Sequence, residues 1–161
     1  MASRKPKNYN RCFLINTGTT AAPVWVLIAD GITSHGSSIS ESTEKYYYMD
    51  KAGVAETDVT GQDITRSFTG HRAKGDSAQD YILDTILYDL AKREVEFIDY
   101  DSGIAAGVNG WKGKATIQIS DDGSGDTAAR QNISFSLAIN GKPTKGTVAK
   151  TESGYTFTEE A

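Results

Sequence analysis

The chain carries a single cysteine, Cys12, so no internal disulfide can form and a cysteine-based metal site has no support. Cys12 lies in R-C-F-L-I-N, where a buried, inert thiol is expected. Histidine is nearly as scarce. His35 and His71 stand in separate polar stretches without ligand spacing, which reads as two surface-loop residues and speaks against zinc. Only three prolines interrupt 161 residues. Long hydrophobic runs are missing too: V-W-V-L-I-A is far short of the ~20 residues that span a bilayer. No apolar segment of sufficient length follows the charged N-terminus, so no signal peptide is expected, and the chain is expected to fold in a reducing cytoplasm. Positive charge is also in short supply. The net charge is −4, and the one basic cluster, Arg4-Lys5-Pro6-Lys7, reads as a solvated arm. A dedicated nucleic-acid binder would show a basic patch.

Catalytic signatures are lacking as well. There is no G-x-S-x-G, no H-E-x-x-H and no P-loop. Gly107 to Gly110 and Gly123 to Gly125 complete no phosphate-binding pattern, and neither opens a helix. Asp121 to Asp126 resembles a calcium loop only in composition, without alternating oxygen ligands or a terminal bidentate Glu. Glu94, Glu96, Asp99 and Asp101 supply carboxylates but define no cleft. No catalytic residue, cofactor site or metal site is therefore expected, and the chain reads as a non-enzyme.

What is present is mostly strand pattern. Arg11 to Thr17 reads as a first strand and Val24 to Ala29 as a strand in mid-sheet. Residues 30–42 are Gly/Ser/Thr-rich and read as loop. Lys45 to Asp50 reads as a strand with Tyr46 and Tyr48 on one face and Tyr47 on the other. A long hairpin arm is expected at about 50–62, returning through Ile64 to Gly70. Later strands follow Glu94, Lys114, Asn132, Gly146 and Tyr155, with tight turns at Asn109-Gly110 and Asn140-Gly141. One helix is expected over 77–93, capped by Ser77 or Asp76 and closed by Lys92 and Arg93. Its core stripe is Ala78, Ile82, Ile86 and Leu90, widened by Leu83 and Leu87. Tyr81 and Tyr88, seven apart, read either as ordinary half-exposed rings or as a second contact surface. The expected fold is mainly β, a sandwich or barrel of nine or ten strands with one flanking helix. It forms a single domain over 11–161 behind a flexible arm over 1–10.

Two surfaces stand out. In the late hairpins Ala115, Ile117, Ile119, Ile133, Phe135, Leu137 and Ile139 point inward. Their neighbours Thr116, Gln118, Ser120, Asn132, Ser134 and Ser136 point outward and are small, polar and uncharged. Soluble sheets usually carry Lys and Glu there, which also block edge pairing. Either β-propensity alone chose Thr and Ser, or the face lines a passage. A passage for nucleic acid would exclude cations, since each phosphate contact adds affinity.

The strand and turn I64-T-R-S-F-T-G-H-R-A-K-G-D76, running into S77-A-Q-D-Y-I-L-D, resembles the major tail proteins of long-tailed phages. So do E94-V-E-F-I-D-Y, G110-W-K-G-K-A-T-I-Q-I-S and Q131-N-I-S-F-S-L-A-I-N-G-K-P-T-K-G146. The likeness covers about residues 11–158 and is greatest to the siphovirus-like type of Gram-positive hosts. It implies hexameric rings stacked into a hollow tube, with sheets joined into an inner barrel that DNA crosses on ejection. It implies a place in the virion tail, assembled in the host cytoplasm. Implied partners are further copies of the chain and the tape measure, tail terminator and distal tail proteins, with DNA only in transit and no membrane. The chain ends at Ala161, so the immunoglobulin-like domain that some members add is not expected.

On this reading Tyr46, Tyr47, Tyr48, Met49, Val54, Val59, Tyr81 and Tyr88 are candidate subunit contacts. Thr116, Gln118, Ser120, Asn132, Ser134 and Ser136 are candidate lumen residues, and the strand at 94–100 is an alternative contributor. A contractile-tail or type VI-like secretion tube subunit is the nearest alternative. A monomeric carbohydrate-binding or adhesin sandwich is another, with Tyr46, Tyr48 and Trp111 as its aromatic platform. A small hydrolase is opposed by the missing triad.

Overall fold

The computed structural model describes residues 5–102 and 108–161. Among these, eight strands form one antiparallel sheet: β1 (Arg11–Asn16), β2 (Trp25–Leu27), β3 (Ile32–Tyr47), β4 (Ala55–His71), β5 (Glu94–Asp101), β6 (Val108–Ser124), β7 (Asn132–Thr151) and β8 (Gly154–Glu159). Their order is β2-β1-β5-β6-β7-β4-β3, with β8 added to β7. The fold is mainly β with one flanking helix, as the alternation predicts.

Side chains alternate across this sheet, so each strand gives one face to the core. Phe13 and Ile15, Val95 and Phe97, Ala115 and Ile117, Ile133, Phe135 and Leu137, and Phe68 bury together on one side. Phe68 meets Phe13 edge-on at 5.1 Å and stacks on Phe135 at 5.3 Å, geometries that add to simple area burial. The helical segment closes this face with Ala78, Ile82, Leu83 and Ile86. A smaller cluster of Leu14, Ile98 and Val148 forms on the other side of the sheet, joined by Trp25, Leu27, Tyr100, Tyr155 and Phe157. Register shifts in β6–β7, at Lys112/Lys114 and again after Ile119, accompany this change of side.

The helix departs from expectation in length. Its α-helical turn, α1, covers Ser77–Asp80, and a π-helical turn over Tyr81–Thr85 ends it. Asp76, not Ser77, is the cap, its carboxylate accepting from the Gln79 amide at 2.9 Å. Beyond Thr85 the carbonyls of Ile86 and Leu87 accept from the Arg93 guanidinium at 3.0 and 2.6 Å, and a third Arg93 N–H reaches the Ile117 carbonyl at 3.1 Å. One side chain thus replaces the missing amides and ties the segment to β6. Leu90, placed on the core stripe by its spacing, is 79% exposed because the helix has already ended.

Several other expectations change. Residues 30–42 are not loop, because the chain enters β3 at Ile32. Trp25–Leu27 is an edge strand paired only with β1, not a mid-sheet strand. Asn109-Gly110 lies inside β6 and Asn140-Gly141 inside β7; Gly141, at φ 69°, lies at the β6–β7 register shift and reverses nothing. The expected connection from Asp101 to Gly110 falls partly on 103–107, outside the described residues. In the expected N-terminal arm, Asn8–Asn10 form a short 3-10 turn, and the Asn10 carbonyl accepts from the Ser102 amide at 2.8 Å. Residues 1–4 of that arm also lie outside the described residues. Cys12 is half-buried, not fully buried, with its thiol 3.5 Å from the Asn10 carbonyl.

His35 is a half-buried strand residue at the edge of the core, not a loop residue. Its ring packs on Phe13 at 4.9 Å and Phe68 at 5.7 Å, and both ring nitrogens are buried without a hydrogen-bond partner among the described residues. Burial, then the charges of Arg11 and Arg66, push the imidazole below its ordinary value. The unfolded chain therefore binds this proton more readily than the folded one. Stability is full above the unfolded value of about 6.5 and falls as pH drops through it. Denaturant midpoints between about pH 5 and 7 are expected to fall in the wild type and to flatten in His35→Phe. An unchanged slope in that variant would show that another group titrates there.

Candidate functional site

Two features of this fold point outward without serving the core. The first is a ribbon. β3 and β4 pair from Ile32↔Gly70 to Tyr47↔Ala55, with the ribbon closing through residues 48–54. The arm is therefore longer than the expected 50–62 and begins earlier. Every residue from Ser37 to Tyr47 is exposed, as is every residue from Ala55 to Thr60. At about 3.3 Å per residue the ribbon extends roughly 35 Å. Isolated two-stranded ribbons are marginal in water.

Tyr46, Tyr47, Tyr48, Met49, Val54 and Val59 all sit exposed on it, Met49 at 99%. Cross-strand pairing sorts them by face. Tyr46 lies opposite Glu56, and Glu44 opposite Asp58, so these four share a face. Tyr48 joins it, stacked on Tyr46 at 6.3 Å. The Tyr46 hydroxyl donates to Glu44 at 2.5 Å, which raises its pKa. Tyr81 and Tyr88 do not form one surface. Tyr81 packs against the main core, while Tyr88, beyond the end of the helix, is 91% exposed.

The second feature is the sheet face opposite the main core. Across β6–β7, Thr116 lies opposite Ala138 and Gln118 opposite Ser136, while Ser134 lies opposite Asp121 and Asn132 opposite Ser124. Ser120 donates to the Ser134 carbonyl at 3.1 Å and hydroxyl at 3.0 Å, and Asn140 donates to Thr116 at 2.8 Å. The six predicted residues thus form one polar surface. The pairing carries it further than the sequence does. Ser136 faces Ser67, Ser134 faces Thr69, and Ala138 faces Thr65 on β4. Beyond β4, Ser67 meets Gly36 and Thr65 meets Ser38 on β3. A Cβ on Gly36 would come within 2.6 Å of the Ser67 hydroxyl, so glycine suits this crossing. Four strands wide, these rows hold Ser, Thr, Gln, Asn, Gly and Ala, with Asp121 entering at one end opposite Ser134. Charge sits at the border, where Glu94 pairs with Lys114 at 3.6 Å and Glu96 accepts from Asn16 at 2.8 Å. In the rest of the 94–100 strand, Val95 and Phe97 to Asp99 are buried and Tyr100 is half-buried.

Calcium is not supported in the acidic loop. Asp121 spends its carboxylate on the Ser124 hydroxyl and on the amides of Gly123 and Ser124, which lower its pKa. No cluster of His, Cys, Asp or Glu among the described residues is placed to hold a metal. Among the same residues no helix is long and apolar enough to cross a membrane. Trp111 is separated from the stacked Tyr46 and Tyr48: it lines a groove with Ile64, Ile139 and Pro143.

The fold that presents these two surfaces is that of the tail-tube class. The SPP1 tail tube protein matches with a TM-score of 0.64 at 15% identity, over 97% of this chain and 80% of its own. A chain from the tail of the empty gene transfer agent particle, a tail with C6 symmetry, matches at 0.60 and 18%, over 82% and 93%. The tube-terminating cap of the anti-feeding prophage matches at 0.55 and 13%, over 91% and 94%. No family model and no curated protein sequence matches the chain.

Proposed function

We propose that this chain is a structural subunit of a phage tail tube, with no chemical turnover. Subunits form six-fold rings, and the rings stack into a hollow tube within the virion tail. The uncharged face lines the tube, and DNA crosses it on ejection without being specifically bound. Six-fold order agrees with the symmetry of the gene transfer agent tail. The observation that carries the proposal is this fold presenting a four-strand face of Ser, Thr, Gln, Asn, Gly and Ala, free of Lys and Arg, at its centre. Cations there would hold each phosphate that passed. β3 lies at the sheet edge with its outer side unpaired among the described residues, and from Ile32 to Ser40 it carries no Lys, Arg, Asp or Glu to block pairing, which suits extension into a neighbour's sheet.

Tail assembly takes place in the host cytoplasm on this reading, with tape measure, terminator and distal tail proteins as partners. The siphovirus-like, Gram-positive-host type rests on the sequence resemblance alone, since the fold is shared across the three tail systems above. The likeness to a tube-terminating cap keeps a secretion-type or contractile-tail tube as the second reading. Electron microscopy of the concentrated protein, held for days, should show rings about one subunit thick and hollow tubes built from them. A chain that stays monomeric at every concentration tried would overturn self-assembly. Tubes that bind an outer sheath would favour the second reading.

A further inference from the structure

We infer that the groove beside Trp111 is the seat for the acidic, aromatic face of the hairpin tip of a second copy of this chain. This rests on the tube reading above and names the partner surface it needs.

The groove holds about 350 Å³. Its walls are Ile64, Ile139, Trp111 and Pro143, with Phe97 of the main core among its lining residues. It is therefore an uncovered continuation of the core. Its charge is one-sided: Arg11, Arg66 and Lys142 line it against the single carboxylate of Asp99. Arg11 takes Asp99 in a two-point contact at 3.0 and 2.6 Å. Arg66 donates from Nη1 to the Ser37 hydroxyl and stands 3.8 Å from that carboxylate, while its Nε is buried with no hydrogen-bond partner among the described residues. Burial and Arg11 push the Arg66 guanidinium below its usual range. A further anion and an aromatic ring would suit this site, since guanidinium and ammonium groups pair with carboxylates and settle on ring faces.

The hairpin tip carries that chemistry. Between 44 and 58 there are four carboxylates against two lysines. Glu44 directly opposite Asp58 is a like-charge pair, which costs stability in a free ribbon and is relieved by outside cations. Tyr46 and Tyr48 stack on the same side. Ser37 to Tyr47 stand exposed along the whole ribbon, so the tip does not rest on its own body and the occupant is another copy.

The test uses the full chain with Cys12→Ser. Lys142→Glu should reduce the sedimenting, assembled fraction about tenfold, and Lys142→Glu with Glu56→Lys in one chain should restore it to within about twofold. Separately, a Tyr48→Cys chain mixed with a Lys142→Cys chain should give an intermolecular disulfide in assembled particles. This second arm stands even if the charge reversal disturbs folding. Normal assembly of Lys142→Glu together with no disulfide would overturn the docking and leave the tube reading intact. A disulfide from Lys5→Cys in place of Tyr48→Cys would seat the N-terminal arm there and overturn it too. A parent chain that never assembles would remove the tube reading, and this docking with it.

Discussion

Gln79→Ala is expected to cost about 3 kcal/mol of folding stability, although the change touches no surface. Gln79 is 1% exposed and sits where β3 and β4 cross the start of the helix. Its amide donates to the Asp30 carbonyl at 2.6 Å and the His71 carbonyl at 3.2 Å, and its oxygen accepts from the Ala73 amide at 2.7 Å. The backbones cannot close in to compensate. A Cβ on Gly70 would meet the Gly31 carbonyl at 2.1 Å, so the two chains already touch. Alanine would strand three polar groups that water reaches poorly, each costing about 1–3 kcal/mol in isolation, with partial relaxation bringing the sum down. The melting temperature should drop by roughly 6–12 °C for a domain of this size. Gln79→Met separates packing from hydrogen bonding: it refills the space and restores no partner. It should be no better than alanine. A loss below about 1 kcal/mol for alanine, or recovery with methionine, would show that the hydrogen bonds contribute little.

Gln79 also shows why some of this molecule is legible in the sequence and some is not. Period-two alternation marks Ile133, Phe135 and Leu137 as core and Asn132, Ser134 and Ser136 as the opposite face, because a strand leaves each side chain only two directions. The main-β fold and the polar face on β6 and β7 follow from that rule. Its extension onto Thr65, Ser67 and Thr69 needs strand order, which alternation within one strand does not contain. The helix end is hidden for a different reason. Ile82, Ile86 and Leu90 fit one helical stripe, yet the segment stops at Thr85 because Arg93, seven residues after Ile86, takes the next carbonyls. No local pattern encodes that substitution. Ser and Gly over 30–42 lower strand propensity, but pairing with β4 overrides it. Asn109-Gly110 has turn chemistry and sits in a strand, with Gly110 needed for close approach to Val148, where a Cβ would fall 2.7 Å from its side chain. The same polar stretch that conceals β3 in the sequence conceals the packing of His35 on Phe13 and Phe68.

Excising residues 44–58 and closing the ribbon with Asn-Gly should abolish assembly while leaving the monomer as stable as before. The cut removes Tyr46, Tyr47, Tyr48, Met49 and Val54, every one exposed, and no residue of either core cluster. Thr43 and Val59 are already cross-strand partners, so a two-residue turn can join the strands without a register change. The excision also removes the opposed Glu44 and Asp58, a small gain for the free chain. The melting temperature is therefore expected to stay within about 2 °C of the parent, since surface changes away from the core move stability little. Assembly should respond in the opposite sense. The exposed ribbon extends roughly 35 Å with stacked tyrosines at its tip, so losing that tip should leave single rings or monomers and no tubes. Electron microscopy and sedimentation at matched concentration read both outcomes. Tubes of parental length would mean that stacking runs through the faces of the body. A large fall in melting temperature would mean that the ribbon supports the fold before it supports the assembly.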